Sequence, residues 1–304
     1  MPNQWRKSPY VVRLNSRRLS TGPSKAKRQA YYDGLTKPLS DAIILALFSN
    51  NEQGGYYDPY DLTDAKLDWV AANPSFTSAQ FMAQFPNHTL FQDSAGTIPV
   101  TGDSQPIGRV LDKSGRNNHL TQSVSAARPL WRLINGLKSF WFDGVDDRFT
   151  STLVAGNYTS MTYWVNYRAA SQTGYLFHDG GNESFRGLMS HAFLVNLNGN
   201  NSLVFSGENR DFPAQPNTSL LAEMQGSKST LTGHFRTPTT KVDYSIANIR
   251  NSTTNLIIGC RTNSAPAVFY QGHLYSLIIR NSLTPEAQAE SIRQLLATRS
   301  GVTL

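Results

Sequence analysis

Trp141-Phe142-Asp143-Gly144-Val145-Asp146-Asp147 runs two aromatic residues into an Asp-Gly pair and two further carboxylates. Three aspartates within five positions have two chemical readings. They can supply oxygen ligands to a hard cation such as calcium. Alternatively, they solvate a tight turn in which Gly144 takes a positive φ and Asp143 bonds nearby amides. On the turn reading, Phe142 enters a core and the stretch marks the start of a β domain. Asp146 and Asp147 are adjacent, so an extended backbone would send them to opposite faces, which argues against a catalytic pair.

The sequence around this stretch has the texture of short strands. Met161–Arg168 alternates at period two, as a half-buried strand does. Further strands are expected at Tyr175–His178, Ala192–Leu197, Ser202–Phe205, Leu220–Gln225, Thr230–Phe235, Val242–Ile246 and Leu256–Cys260. Phe269–Arg280 is apolar on both faces and is expected to lie centrally. So many strands with little helix between them predict a mainly β, antiparallel sandwich. Short helices are expected behind Ser40-Asp41, around Asp64–Ala71 and around Ser78–Phe85. A last helix starts with Thr284 as N-cap and Pro285 at its first position, and ends at Gly301. Cys260, the only cysteine, reads as a small buried core residue and excludes an intrachain disulfide.

The formal net charge of +7 is concentrated at one end. Residues 1–37 carry Arg6, Lys7, Arg13, Arg17, Arg18, Lys25, Lys27, Arg28 and Lys37 against the single acid Asp33, leaving the rest close to neutral. An arm this polar is expected to stay extended until it meets a partner. Its aromatic residues, Trp5 among them, favour a protein partner, with nucleic acid second. The segment lacks a secretory apolar region, and the longest apolar run, Ala42–Phe48, is too short to cross a bilayer. Synthesis in a cytoplasm, without membrane attachment, is therefore the expectation.

Phe269–Arg280 followed by Leu283-Thr284-Pro285-Glu286 resembles the last strand and helix of concanavalin A-like, laminin-G-type jelly rolls. Phe142–Asp147 and Leu256-Ile257-Ile258-Gly259 are similar to other motifs of those domains, in the same order. A second resemblance rests on Tyr56–Leu62, Leu90–Val100 and Val110–His119, which look like a cassette of tailed-bacteriophage structural proteins. Here Thr63–Thr89 is inserted within it. The resemblance implies an arm (1–37), a short helical or linker segment (38–89) and a laminin-G-like jelly roll (90–304, its core 130–304). It further implies a virion component made in the bacterial host: a head decoration, collar or tail appendage. Such a protein would be anchored through its arm to other virion proteins and arranged as a symmetric oligomer.

The chemistry legible in the sequence favours binding over catalysis. Retaining glycanases need two carboxyls about 5 Å apart. The six glutamates (Glu52, Glu183, Glu208, Glu223, Glu286 and Glu290) include no pair spaced for one strand face. The histidines show no close metal spacing, and no nucleophile elbow or phosphate loop occurs. The protein is therefore expected not to be an enzyme. As alternatives, it reads as a glycan-binding host-recognition module or, third, a glycan-cleaving enzyme. Trp131, Tyr158 and Phe212 are candidates to stack on sugar rings. Asp143, Asp146 and Asp147, with Asp179 and Asn182 in the following Gly-rich loop, are candidate calcium ligands, and no other cofactor is expected.

Overall fold

The Asp143-Gly144 turn carries the chain from one β-sheet into another. Strand β6 (Leu137–Asp143) ends at the turn and β7 (Phe149–Ser151) begins after it, in a different sheet. The segment is thus a crossover between layers and not a hairpin tip. Gly144 takes φ 82°, as the Asp-Gly signal requires. Gly259, at φ 97°, lets the crossing close: a Cβ there would stand 2.7 Å from both the Asp147 carbonyl and the Phe142 ring.

The computed structural model describes residues 41–154, 158–170, 174–178, 191–195, 200–205, 208–213, 217–245, 255–261 and 268–304, without the side chains of 191–213. Among these residues, one sheet runs β15 (Lys241–Ser245), β14 (Thr232–Arg236), β13 (Leu220–Ser227), β8 (Ser160–Ala169), β17 (Gln271–Arg280), β6 and β5 (Leu130–Ile134). Strand β1 (Gly54–Tyr57) also pairs with β17. The second sheet runs β12 (Glu208–Pro213), β11 (Asn200–Phe205), β10 (His191–Val195), β9 (Gly174–His178), β16 (Ile257–Ile258), β7, β4 (Leu120–Thr121), β3 (Arg109–Val110) and β2 (Leu90–Phe91). Their ladders are antiparallel. Phe140, Phe142, Tyr163, Met224 and Leu277 from the first sheet share one core with Leu90, Val110, Phe149, Phe177 and Ile258 from the second. The protein is therefore mainly β and antiparallel, as the strand pattern predicts.

Helices α1 (Ala42–Leu45), α2 (Asp64–Ala72), α3 (Ser78–Gln84) and α4 (Glu286–Ser300) complete the described chain. Thr63 and Thr77 cap α2 and α3, and Thr77 with Gln80 forms a reciprocal capping box. Helix α4 begins one residue later than expected. Pro285 is its N-cap, because Thr284 Oγ1 is already engaged by Arg280 Nη1 at 3.0 Å and Thr162 Oγ1 at 3.3 Å. Gly301 ends the helix at φ 68°. Cys260 is buried, and β17 lies between β8 and β6.

Two expectations change. Met161–Arg168 is buried on both faces, because its outward side chains Trp164 and Asn166 meet α4. The described part of the 38–89 segment is no linker. Its strand β1 extends the sheet, Phe81 enters the main core, and Ile44, Leu47 and Phe48 pack with Ile292, Leu295 and Leu296 of α4 over the outer sheet face.

A buried four-charge cluster joins these pieces. Asp58 Oδ2 pairs with Lys113 Nζ at 3.1 Å and Arg299 Nη1 at 3.0 Å. Asp41 pairs with the same Lys113 and with Arg299 Nη2 at 2.6 Å. Tyr56 Oη donates to Asp58 at 2.7 Å and accepts from Arg299 at 2.6 Å. Burial disfavours every charge here, yet the partners win: Asp41 is held below its usual range, and Lys113 and Arg299 above theirs.

Removing Asp58, the fully buried member, leaves Lys113 and Arg299 to share the partly exposed Asp41. Asp58→Ala is expected to lower the unfolding free energy by about 3–5 kcal/mol, measured by urea denaturation. A loss below about 1 kcal/mol, typical of an exposed pair, would refute the cluster's role.

Candidate functional site

The three aspartates of the crossover converge. One carboxylate oxygen from each of Asp143, Asp146 and Asp147 lies within 4.8 Å of the others. The turn consumes part of their capacity: Asp143 Oδ1 accepts from Val145 N at 2.8 Å and Asp146 N at 3.4 Å, while Asp147 Oδ2 accepts from Asp143 N at 2.9 Å. Burial, reinforced by the charges of Asp143 and Asp146, pushes Asp147 up to about 7 despite that hydrogen bond. Hard oxygens crowded in this way fit a calcium ion chemically. The turn bonds supply part of the seven-residue motif's chemistry, so both readings of the stretch meet in one geometry.

A second site lies on the outer face of β13, β14 and β15. The registers Gln225↔His234↔Asp243 and Ser227↔Thr232↔Ser245 align polar side chains across three strands. Met224, Phe235 and Tyr244, from the opposite face, belong to the core. Against this polar face stands the start of α4, leaving a groove of about 690 Å³ lined by Gln225, Thr232, His234, Asp243, Thr284 and Glu286, among others.

The floor of the groove is held by Glu223, which is 1 % exposed. Burial alone would raise its pKa. Hydrogen bonds from His234, Gln225 and Arg293, with the Arg293 charge, outweigh burial and hold it at about 2. Arg293 Nη1 reaches Glu223 Oε2 at 2.5 Å and its Nη2 reaches Glu286 at 2.5 Å. Because an ionised carboxylate only accepts, His234 Nε2, 3.3 Å from Glu223 Oε1, must carry a proton. Gln225 is fixed likewise: its Nε2 donates to Glu223 at 2.9 Å and its Oε1 accepts from Thr284 N at 2.8 Å. The groove wall is thus ordered before any ligand arrives.

The residues expected to stack on sugar fare differently. Trp131 is fully buried and its Nε1 donates to the Pro59 carbonyl at 3.0 Å, so it is a core residue. Tyr158 packs partly buried against the core. Phe212 lies on β12, and its side chain is outside the described residues, as are Asp179 and Asn182. The arm residues Trp5, Arg6, Lys7, Arg13, Arg17, Arg18, Lys25, Lys27 and Arg28 also lie outside them. The polar row through Thr232, His234 and Arg236 is not among the sequence-based candidates. Its signal was period-two polarity opposite Gly233 and Phe235, beside a helix carrying an arginine on its apolar face.

No protein-family profile and no curated protein matches the sequence. Among solved structures, the chain is similar to an arabinofuranosidase complexed with arabinofuranosyl-alpha-1,2-xylobiose (14% identity, TM-score 0.44, covering 64% of this chain and 51% of that one). It is also similar to Trypanosoma rangeli sialidase in complex with sialic acid (12%, TM-score 0.47, 69% and 36%). A third is the Ruminococcus gnavus IT-sialidase CBM40 bound to alpha2,3 sialyllactose (11%, TM-score 0.38, 47% and 83%). The chain spans about half of the arabinofuranosidase and about a third of the sialidase. The expectation that the protein is not an enzyme is corrected here, since two of these three structures are glycoside hydrolases. Likeness at this level assigns no catalytic residue.

Asp147 gives a signed pH dependence. Its folded pKa is raised from 3.8 to about 7, so its contribution is full below about pH 4 and is lost as pH rises through 7. Melting temperature should fall across that window, and Asp147→Asn should flatten the fall. At pH 8, millimolar calcium should raise the wild-type midpoint by about 5 °C and leave Asp147→Asn unmoved. Equal response of both proteins would dismiss the cation site.

Proposed function

We propose that the protein is a carbohydrate-binding component of a tailed-phage particle. In this reading it is a concanavalin A-like jelly roll that offers the groove over β13–β15 to a surface glycan. The observation that carries the proposal is the groove's pre-ordered polar wall. Sugar hydroxyls both donate and accept, and the wall supplies both functions: the His234 ring and the Gln225 amide are held in place by Glu223, and the exposed Thr232 hydroxyl and Asp243 carboxylate stand beside them. Preorganisation matters because ordering flexible side chains on binding would cost about 0.5–1.5 kcal/mol each.

Charge narrows the ligand. Asp243 and Glu286 flank the groove, and the buried Arg293 beneath is already paired with Glu223, Glu286 and Glu290. A neutral hexose or short neutral oligosaccharide fits this balance better than an acidic one. The virion setting is supported by the phage-like segments Tyr56–Leu62 and Val110–His119. Asp58 of the first and Lys113 of the second meet in the buried charge cluster, so a shared architecture would keep both. The arm, 1–37, would join the protein to neighbouring virion proteins in a symmetric assembly.

A glycan array with the full chain tests the binding half. Thr232→Val and Asp243→Ala are expected to reduce binding of the recognised neutral glycan at least tenfold while leaving the melting temperature within a few degrees. Binding retained by both variants would remove the groove from the proposal. Deleting residues 1–37 is expected to abolish incorporation into particles without affecting the array. Unchanged incorporation would remove the anchoring role.

A further inference from the structure

The outer face of the second sheet carries another polar site. Pairing of β3 with β4 and of β4 with β7 sets Arg109, Thr121 and Thr150 side by side across three strands. Together with Asn117, His119 and Thr152, they border a cavity of about 260 Å³. Among the described residues no carboxylate lines it. Its chemistry is therefore the reverse of the groove's.

Two residues that border the cavity carry donors suited to an anion. Arg109 Nη1 donates to the Ala95 carbonyl at 3.2 Å, but its Nε is buried and has no hydrogen-bond partner among the described residues. No carboxylate there pairs with Arg109. A buried guanidinium N–H without an acceptor is costly, more so because the group is charged. His119 is oriented by the Asp112 backbone N–H, which donates to Nδ1 at 3.0 Å. In the neutral ring the proton must then reside on Nε2, making that nitrogen a donor.

The acid nearest in sequence has its oxygens already engaged by other donors. Asp112 spends its oxygens on Tyr56 N at 2.9 Å, Ser114 N at 2.8 Å, Ser114 Oγ at 2.7 Å and Asn118 N at 3.1 Å. That bonding also fixes the loop that brings Asn117 and His119 to the cavity. Burial and then the Arg109 charge hold the His119 pKa below its usual value, outweighing the opposing charge of Asp112.

We propose that this cavity binds an oxyanion (a carboxylate, sulfate or phosphate group), either free or carried on a single sugar. The anion would be held by the Arg109 guanidinium and accept from His119 Nε2, with the threonine hydroxyls completing its hydrogen bonds. Its volume suits one charged ring or a bare oxyanion and not an extended chain. The site is separate from the groove and on the other sheet, so its occupancy does not depend on the glycan reading above.

Isothermal titration of the full chain with inorganic sulfate, inorganic phosphate and sodium glucuronate, at ionic strength fixed with sodium chloride, tests this directly. Glucose serves as the neutral control. At least one anion should bind and move the His119 ring signals in the NMR spectrum, whereas glucose should do neither. Arg109→Gln should weaken binding at least tenfold and Thr121→Val several-fold, with the groove variant Asp243→Ala unchanged. Should Arg109→Gln fail to fold, Thr121→Val and the exposed Thr152→Ala carry the comparison. Tighter binding of glucuronate than of the inorganic ions assigns a sugar-borne anion, and the reverse order assigns a free one. No heat and no His119 shift with any probe, or binding undiminished in the variants, would overturn the proposal.

Discussion

The buried cluster of Asp41, Asp58, Lys113 and Arg299 is the constraint on which the rest of the arrangement depends. It joins four parts of the chain far apart in sequence: the residue before α1, the end of β1, the loop after β3 and the last turn of α4. The charges alternate, so each cation contacts both anions, and Tyr56 supplies the remaining hydrogen bonds. Such a cluster contributes less net stability than an apolar replacement would. Its effect is on position: α4 can dock with only one end over Arg299's partners, which fixes where the other end meets the sheet. The groove at Glu286 and Arg293 is a consequence of that placement.

The parts of the fold legible in the sequence are those in which local chemistry and tertiary setting agree. Asp143-Gly144, Thr77 with Gln80, and Gly301 each state a backbone requirement that no neighbour overrides. The hairpin from β5 to β6 carries an equally local signal. Asn135-Gly136 closes it with φ 53° and 79°, the Asn-Gly signature of a two-residue turn. Strand β1 was hidden for another reason. Gly54-Gly55 reads as a helix stop, but a Cβ on Gly54 would stand 1.9 Å from the Ile279 carbonyl, so the glycine serves sheet packing.

The sites were harder to read than the fold because they are made of long-range pairs. Trp131 looked available for a sugar since nothing in its own segment shows that Pro59 will accept its indole proton. Glu223 looked isolated since its partners lie 11 and 70 residues away in His234 and Arg293. The aspartate triad was visible because all its members share one turn. Its unusual property, the elevated Asp147, is nevertheless tertiary: it comes from burial where the chain crosses between sheets under Gly259.

Geometry explains why a polar groove has to appear where it does. Helix α4 has 15 residues, or about 22 Å at about 1.5 Å per residue. Strands lie about 4.8 Å apart, so a helix of that length crosses about four of them. It packs on β13, β8, β17 and β6, neighbours in the sheet order. With its C-terminal end pinned by Arg299, α4 reaches β14 only through the Glu286–Arg236 pair and, among the described residues, leaves most of β14 and β15 open. Their outward positions must therefore be compatible with water, and the alternation Thr232, His234, Arg236 and Lys241, Asp243, Ser245 meets that requirement. Solvent compatibility alone would be satisfied by mobile lysines and glutamates. His234 and Gln225, held by the buried Glu223–Arg293 pair, are ordered further than solubility requires, and that excess of order is the physical ground for reading the surface as a binding site.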